Sequence, residues 1–153
     1  MGQGTLEKLE RILRGELSAV DNVQTTLEKI KKMNKRINAF IDINPNAVAE
    51  AEAVDRKLKR GEKVGRLAGL TIGVKSNLNV VGLRATCASR TLENYVSTYD
   101  AEVIKRIRAQ DGIVIGMTNM DEFACGSSGE TSAFGPTDNP SAPGRIPGGS
   151  SSG

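Results

Sequence analysis

The chain has 153 residues, of which 38% are hydrophobic and 25% charged, a balance typical of a folded domain rather than a disordered segment. It contains no histidine, which excludes a histidine-based triad and histidine metal ligands, and its two cysteines, Cys87 and Cys125, match no zinc or redox spacing. Because there is neither a signal peptide nor an apolar run of membrane-spanning length, we expect a soluble cytoplasmic protein with two free thiols.

Apolar residues repeat at helical spacing in three segments of the first part of the chain, and we interpret residues 1–60 as a helical leader. The first helix is predicted to end near Gly15, and Ser18 is predicted to cap the second. A third helix is predicted to have Asn44 as its cap and Gly61 as its stop, with a short extended piece, RINAFIDIN, before it.

The excess positive charge also lies in this leader, which has 12 Lys and Arg against 9 Asp and Glu. A basic run can bind nucleic acid, so a tRNA contact is one interpretation. A solvated helix face is the favoured one, because no aromatic residues are interleaved and an acidic residue is close. The run is densest at Lys29, Lys31, Lys32, Lys35 and Arg36.

From residue 61 onward the pattern changes to short β-branched runs around one amphipathic helix. The segments LAGLTIGVK and IVIGM (113–117) predict two buried strands. The helix between them is predicted to have Asp100 as its cap and an apolar side of Val103, Ile104 and Ile107. Strand–helix–strand crossovers join parallel strands. We therefore expect an α/β fold, in which amino-terminal helices precede part of a mixed sheet flanked by helices, with a boundary between 1–60 and 61–153.

Residues 124–153 contain seven Gly, seven Ser and four Pro without sustained periodicity. A segment of this kind is either a linker or a functional loop. Its phenylalanine and spaced prolines favour a functional loop over the ends of strands, where open α/β sheets have their sites. Because the sequence stops at Gly153 within a glycine–serine run, we expect it to be cut before its natural end. Asp121 and Glu122, just before the loop, are predicted to cap a short helix in a structural role.

Two residues have side chains that suit amide chemistry: Lys75 in GVKSN and Ser150 in PGGSSSG. Taken alone, the first predicts a solvated lysine and the second a flexible turn. Together with TYDAEVIKRIRAQDGIVIGMTNMDEFACGSSGETSAFGPTDNP, the two motifs resemble the amidase-signature family in order and in their separation of 75 positions. Within that family, the long segment is most similar to the A subunits of amidotransferases that act on Glu-tRNA(Gln) and Asp-tRNA(Asn).

The resemblance implies a catalytic triad of a lysine, a serine preceded by a cis peptide bond, and a nucleophilic serine. Lys75 matches the lysine, as general base, and Ser150 matches the relay serine, so the Gly149–Ser150 bond is expected to be cis. The nucleophile of the family lies beyond Gly153, and we therefore expect the 153 residues alone to be inactive. The resemblance also implies an acyl pocket along Cys125, Gly126 and Ser127.

The chemistry explains why these residue types are needed. A serine hydroxyl must lose its proton as it attacks an amide carbon, so a base must lie within hydrogen-bond reach. In the absence of histidine, a lysine serves in its neutral form, which burial favours because desolvation disfavours the ammonium. A second hydroxyl both donates and accepts, so it can pass the proton between them.

The implied activity is glutamine hydrolysis, which supplies ammonia for amidation of misacylated Glu-tRNA(Gln) or Asp-tRNA(Asn). The implied partners are amidotransferase subunits B and C, glutamine and, through the complex, aminoacyl-tRNA. ATP and magnesium would be used by the partner subunit, and no cofactor or metal is expected in this chain. Ser76 stands where the family often has Asp, and Ser152 where glycine is common, which leaves the substrate open. Alternatives are a stand-alone amidase on small amides and a non-catalytic binding module.

Overall fold

The computed structural model describes residues 4–153, which form four α-helices, three β-strands and two 3₁₀ turns. The helices are α1 Thr5–Leu13, α2 Ala19–Ile37, α3 Ala47–Lys59 and α4 Glu102–Ala109. The strands are β1 Phe40–Ile43, β2 Thr71–Lys75 and β3 Ile113–Thr118, and the 3₁₀ turns are Arg90–Leu92 and Glu122–Ala124. No helix within residues 4–153 combines the length and apolar composition needed to cross a bilayer.

The three strands form one mixed sheet in the order β1-β3-β2. Strands β2 and β3 run parallel, with α4 between them in the chain, so the predicted crossover pair and the α/β fold class are confirmed. Strand β1 runs antiparallel to β3 on its other side. The sequence predicted β1 only as a short extended piece, yet it supplies a full strand from the leader.

Two glycines let the strands approach closely in the middle of the sheet. Gly73 and Gly116 are register partners, directly after an irregularity in the β2–β3 ladder. A methyl group at Gly73 would lie 2.9 Å from Thr118 Cγ2 and 3.6 Å from the Phe40 ring, and one at Gly116 would collide with the Asp42 carbonyl. The ring of Phe40 therefore packs over a surface that only glycines leave open. This close packing lies directly before Lys75 and Thr118, where β2 and β3 end.

Aliphatic side chains cover both faces of the sheet. On one face α2 and α3 pack against β3, in a cluster that includes Val23, Ala51 and Ile115. On the other face, Ile104 of α4 packs with Val114 and other residues of β2, β3 and the segment after β2. This agrees with the scarcity of aromatic residues, which leaves Ile, Val, Leu and Ala to fill the core.

The second helix begins and presents its charges as the sequence predicts. Ser18 Oγ accepts a 2.9 Å hydrogen bond from the Asp21 N–H, which is the expected cap. The basic residues of its second half all point to solvent, as a solvated helix face requires. The helix ends at Asn38, which adopts the left-handed conformation with φ 56°.

The residues predicted to cap the amino-terminal ends of the third and fourth helices are wrong. Helix α3 begins at Ala47, and Asn44 instead accepts from the Asn46 N–H at 2.9 Å while its amide donates to the Val114 carbonyl at 2.7 Å. Asn44 therefore ties the start of α3 to β3. Asp100, similarly, lies before α4 rather than at its cap, and it accepts from the Val81 N–H at 2.8 Å. In both cases a group distant in sequence binds the side chain that local sequence assigned to a helix end.

Candidate active site

Lys75 and Ser150 are in direct contact. The Nζ of Lys75, the last residue of β2, donates a 2.6 Å hydrogen bond to Oγ of Ser150. Both residues are half-buried rather than withdrawn from water. The Gly149–Ser150 peptide bond is cis, the isomer that the family resemblance implies. The structure thus brings together the two residues that the sequence singled out, although 75 positions separate them.

The parallel pair β2–β3 explains why the loops converge at this point. Lys75 is the register partner of Thr118, so both strands end at the same edge of the sheet. The Ser76 N–H extends this pairing with a 3.2 Å hydrogen bond to the Thr118 carbonyl. The chain that leaves β3 then begins the long glycine-rich loop. Sites of open α/β sheets form at this carboxyl edge, because the connecting loops meet there.

Asn119, the first residue after β3, joins three parts of the chain near Ser150. It is fully buried, and its side-chain amide donates to the carbonyls of Asn38 at 3.1 Å and Gly135 at 3.0 Å. Its N–H donates to the Ala39 carbonyl at 2.8 Å, and its own carbonyl accepts from the Gly153 N–H at 3.0 Å. Sequence reasoning missed Asn119, and the only available signal was a polar residue directly after a buried strand.

The loop and the segment after Ser150 are also joined by hydroxyl groups. Thr137 Oγ1 donates to the Asn38 carbonyl at 3.1 Å and lies 3.1 Å from Ser152 Oγ. Ser152 is buried, so its hydroxyl is engaged with Thr137 rather than with Ser150. The serine that stands where the family commonly has glycine therefore has a packing role here.

Asp121 occupies the predicted N-cap position of the short helical turn that follows it, but its side chain makes no capping hydrogen bond. The 3₁₀ turn begins at Glu122 without a side-chain cap, and the Asp121 carboxylate is fully buried. Its Oδ1 accepts from the Gly129 N–H at 3.0 Å, the Thr131 N–H at 3.2 Å and Thr131 Oγ1 at 3.0 Å. Burial opposes ionisation, but the hydrogen bonds from Thr131 and Gly129 outweigh it and lower the pKa of Asp121. The group is therefore a carboxylate at neutral pH.

The predicted pocket residues run alongside the segment that leads to Ser150. Cys125, Gly126 and Ser127 are all exposed. The Ser127 carbonyl accepts a 2.8 Å hydrogen bond from the Gly149 N–H, which joins this segment to the residue before Ser150. Their contact with an acyl group stays a prediction.

Cys87 belongs to a second loop at the same edge. Its carbonyl accepts from the Phe123 N–H at 2.9 Å, and both residues adopt a left-handed backbone, with φ 49° and 50°. Burial raises the pKa of the Cys87 thiol. Cys87 and Cys125 are both free thiols, as predicted.

Comparison with known proteins agrees with this geometry. A model of the amidase family matches residues 21–153. The A subunit of the glutamyl-tRNA(Gln) amidotransferase of Methanothermobacter thermautotrophicus is 55% identical over 150 residues, which cover 97% of this chain and 33% of that protein. The chain therefore spans about a third of the length of the curated relatives that it matches.

Two solved structures show the same fold. The A subunit of the glutamyl-tRNA(Gln) amidotransferase from Thermotoga maritima has a TM-score of 0.78 and 39% identity, over 94% of this chain and 29% of that one. The native peptide amidase from Stenotrophomonas maltophilia has a TM-score of 0.91 and 30% identity, over 98% of this chain and 32% of that one. Since the family model covers most of the residues and the motifs occur in order, the chain belongs to the amidase-signature family.

Proposed function

We propose that this chain provides the lysine and the relay serine of a Lys–Ser–Ser triad in the glutaminase subunit of a tRNA-dependent amidotransferase. The observation that best supports the triad is the 2.6 Å hydrogen bond between Lys75 Nζ and Ser150 Oγ. The 55% identity to the A subunit of an amidotransferase, against 30% to a peptide amidase, supports glutamine as the substrate and tRNA-linked amidation as the purpose.

In the proposed reaction, a nucleophilic serine supplied by a further part of the polypeptide attacks the glutamine side-chain amide. Its proton passes to Ser150, whose own hydroxyl proton passes to the neutral amine of Lys75. The 2.6 Å distance between Lys75 Nζ and Ser150 Oγ suits this transfer. At that distance an ammonium group donates to the hydroxyl, whereas a neutral amine accepts from it. As the intermediate collapses, the proton returns from Lys75 through Ser150 to the leaving nitrogen, which departs as ammonia and leaves an acyl-enzyme. Water then hydrolyses the ester to glutamate, and one of its protons restores the hydroxyl of the nucleophilic serine.

The ammonia would be used to amidate misacylated Glu-tRNA(Gln) or Asp-tRNA(Asn). Subunits B and C would complete the complex, and the partner subunit would use ATP and magnesium in a reaction that forms a carbon–nitrogen bond. This chain itself would need no metal or other cofactor, and the complex would act in the cytoplasm. Exposed Cys125, Gly126 and Ser127 would line the acyl pocket beside Ser150.

We also expect the 153 residues alone to lack glutaminase activity. Among residues 4–153, Ser150 Oγ has a hydrogen bond to Lys75 and none to another serine. The neighbouring serines do not replace a nucleophile, since Ser151 points to solvent and Ser152 is bound to Thr137. Ammonia release from glutamine by the purified chain would contradict this expectation.

The triad is tested by serine-directed acylation of the full-length protein that contains these residues. Lys75→Ala and Ser150→Ala are expected to slow labelling and glutamine hydrolysis by about 10²- to 10⁴-fold, the usual contribution of positioned acid–base groups. Lys105→Ala removes an exposed lysine of α4 and serves as the control, with unchanged labelling. Wild-type labelling of Lys75→Ala would favour the non-catalytic binding module instead.

A stand-alone amidase is the second candidate. It is favoured by one observation, the higher TM-score of 0.91 to the peptide amidase, against 0.78 to the amidotransferase protein. Purification of the full-length protein distinguishes the two. A member of an amidotransferase complex is expected to copurify with two partner subunits and to hydrolyse glutamine, whereas a stand-alone amidase would hydrolyse small amides without partners.

A further inference from the structure

Asp121 connects the glycine-rich loop to the backbone of Ser150. Its carboxylate accepts hydrogen bonds from Gly129 and Thr131, while its N–H donates to the Ser150 carbonyl at 3.0 Å. We propose that Asp121 is a positioning residue, which fixes the Ser150 backbone so that the Ser150 hydroxyl stays on Lys75 Nζ. This inference depends on the proposed function, because it assigns a role within the same triad.

The Asp121 carboxylate holds the glycine-rich loop by accepting hydrogen bonds from Gly129 and Thr131. Oδ1 binds Gly129 and Thr131, and Oδ2 also accepts from the Gly129 N–H, at 3.1 Å. Thr131 Oγ1, which donates to Oδ1, in turn accepts from the Glu122 N–H at 3.1 Å. The side chain thus closes the segment 121–131 into one hydrogen-bonded unit. Because the group is fully buried, water does not compete for these donors.

Two glycines press the Ser150 segment against the same carboxylate. A methyl group at Gly149 would collide with Asp121 Oδ2, and one at Gly126 would collide with the Asp121 side chain. Gly149 also donates its N–H to the Ser127 carbonyl at 2.8 Å. The residue before Ser150 is therefore confined by the Asp121 carboxylate on one side and bound to Ser127 on the other. A displacement of Asp121 would move Ser150 with it.

The negative charge is part of this arrangement. Hydrogen bonds to an ionised acceptor are stronger than those between neutral groups. An asparagine at position 121 would keep the shape, but one oxygen would become an amino group. If that amino group replaced Oδ2, it would face the Gly129 N–H, a donor against a donor. The substitution Asp121→Asn therefore removes charge and one acceptor without creating a cavity.

The test measures the rate and the stoichiometry of serine acylation in the full-length protein. Asp121→Asn is expected to slow the acylation rate constant by about 10- to 100-fold, the cost of small misplacements at a reacting centre, with KM for glutamine little changed. Labelling should still reach one probe per folded protein. Glu130→Gln, an exposed carboxylate in the same loop, is the matched control and should react at the wild-type rate.

Stoichiometry separates positioning from mere stability. A variant that is only less stable would label a smaller fraction of the protein at the wild-type rate constant, and that result would overturn the inference. So would a wild-type rate for Asp121→Asn. If Asp121→Asn does not fold, the acylation rate constant of Thr131→Val tests the positioning role of Asp121 instead. This substitution leaves the carboxylate but removes one donor to it, and an unchanged rate constant would count against positioning, while a modest slowing at full stoichiometry would support it.

The same assay distinguishes failure of the inference from failure of the proposed function. If Lys75→Ala and Ser150→Ala both label normally, the triad assignment is wrong, whatever Asp121→Asn does. If those two variants lose labelling while Asp121→Asn keeps the wild-type rate, the triad stands and only the role of Asp121 is rejected.

Discussion

The apolar core around β3 and the loop that follows β3, residues 119–153, are stabilised in different ways. In the core, aliphatic side chains such as Val23 and Ile115 pack without polar contacts. In residues 119–153, the buried side chains are mostly polar and hydrogen-bonded: Asn119 and Thr137 bind the distant backbone of Asn38, and Asp121 binds backbone groups of its own loop. Asn119 and Asp121 are the most connected of them. Apolar burial is non-directional and sets the fold, whereas directional hydrogen bonds set the one loop conformation that carries Ser150.

This difference predicts how a substitution in each region affects the protein. A cavity in the core removes contacts from several elements at once, so it lowers the stability of the whole domain. Loss of a polar contact in the loop leaves the sheet and helices packed, so it lowers stability less and mainly alters the position of Ser150. Core substitutions are thus expected to act mainly on global stability, and loop substitutions mainly on the acylation rate.

The largest expected loss of stability comes from the core. Ile115→Ala, at a residue of β3 that is only 2% exposed, is expected to lower the free energy of unfolding by about 2–5 kcal/mol. Urea denaturation of the full-length protein checks this, and the folded fraction should acylate at the wild-type rate. Ile146→Ala, at a loop residue that is 54% exposed, is the control and should change stability by no more than about 0.5 kcal/mol. Equal losses from the two variants would contradict the comparison.

A smaller and pH-dependent loss is expected from the loop. The folded protein lowers the pKa of Asp121, so the carboxylate binds protons less readily than in the unfolded chain. Its stabilising contribution is then fully present above the ordinary aspartate pKa of about 4, and it is lost as the pH falls through the lower folded-state value. The stability difference between wild type and Asp121→Asn should therefore be constant from neutral pH to about pH 5 and should shrink below about pH 4.

The core variant supplies the control for this titration. The difference between wild type and Ile115→Ala involves no ionisable group, so it should stay nearly constant over the same pH range. Denaturant midpoints measured at a series of pH values give both differences. A difference for Asp121→Asn that does not shrink in acid would show that the lost hydrogen-bond acceptor, rather than the lost charge, weakens the loop.

The contrast between the regions also explains what the sequence could predict. The helices and the strands β2 and β3 follow from local periodicity, because apolar residues recur at the spacing of their own element. The Ser18 cap is local too, since its acceptor and donor are three positions apart. The contact between Lys75 and Ser150 has no local signal, and only the family resemblance, with its fixed order of motifs, indicated it.

The wrong helix-cap predictions and the missed residue Asn119 share one physical cause. Asn44 and Asp100 are residue types that cap helices, but they bind Val114 and Val81, which are 70 and 19 positions away. Asn119 binds Asn38 across 81 positions. A short polar side chain has the same composition whether its partner is local or distant, so no periodicity distinguishes the two cases. Buried polar contacts of this kind become visible only when the fold has brought the segments together.

The smallest effect concerns one serine hydroxyl at the boundary between core and loop. Ser76 is fully buried, and its Oγ has no hydrogen-bond partner among residues 4–153. An unpartnered buried hydroxyl loses its hydration without compensation, so Ser76→Ala is expected to raise the free energy of unfolding by about 1 kcal/mol. Ser97 is the matched control, because it is also buried, at 2% exposed, but its hydroxyl donates to Asn79 Oδ1 at 3.2 Å. Ser97→Ala should therefore lower stability by about 1 kcal/mol. Urea denaturation of both variants tests the sign, and a loss of stability in each would show that Ser76 has a partner after all.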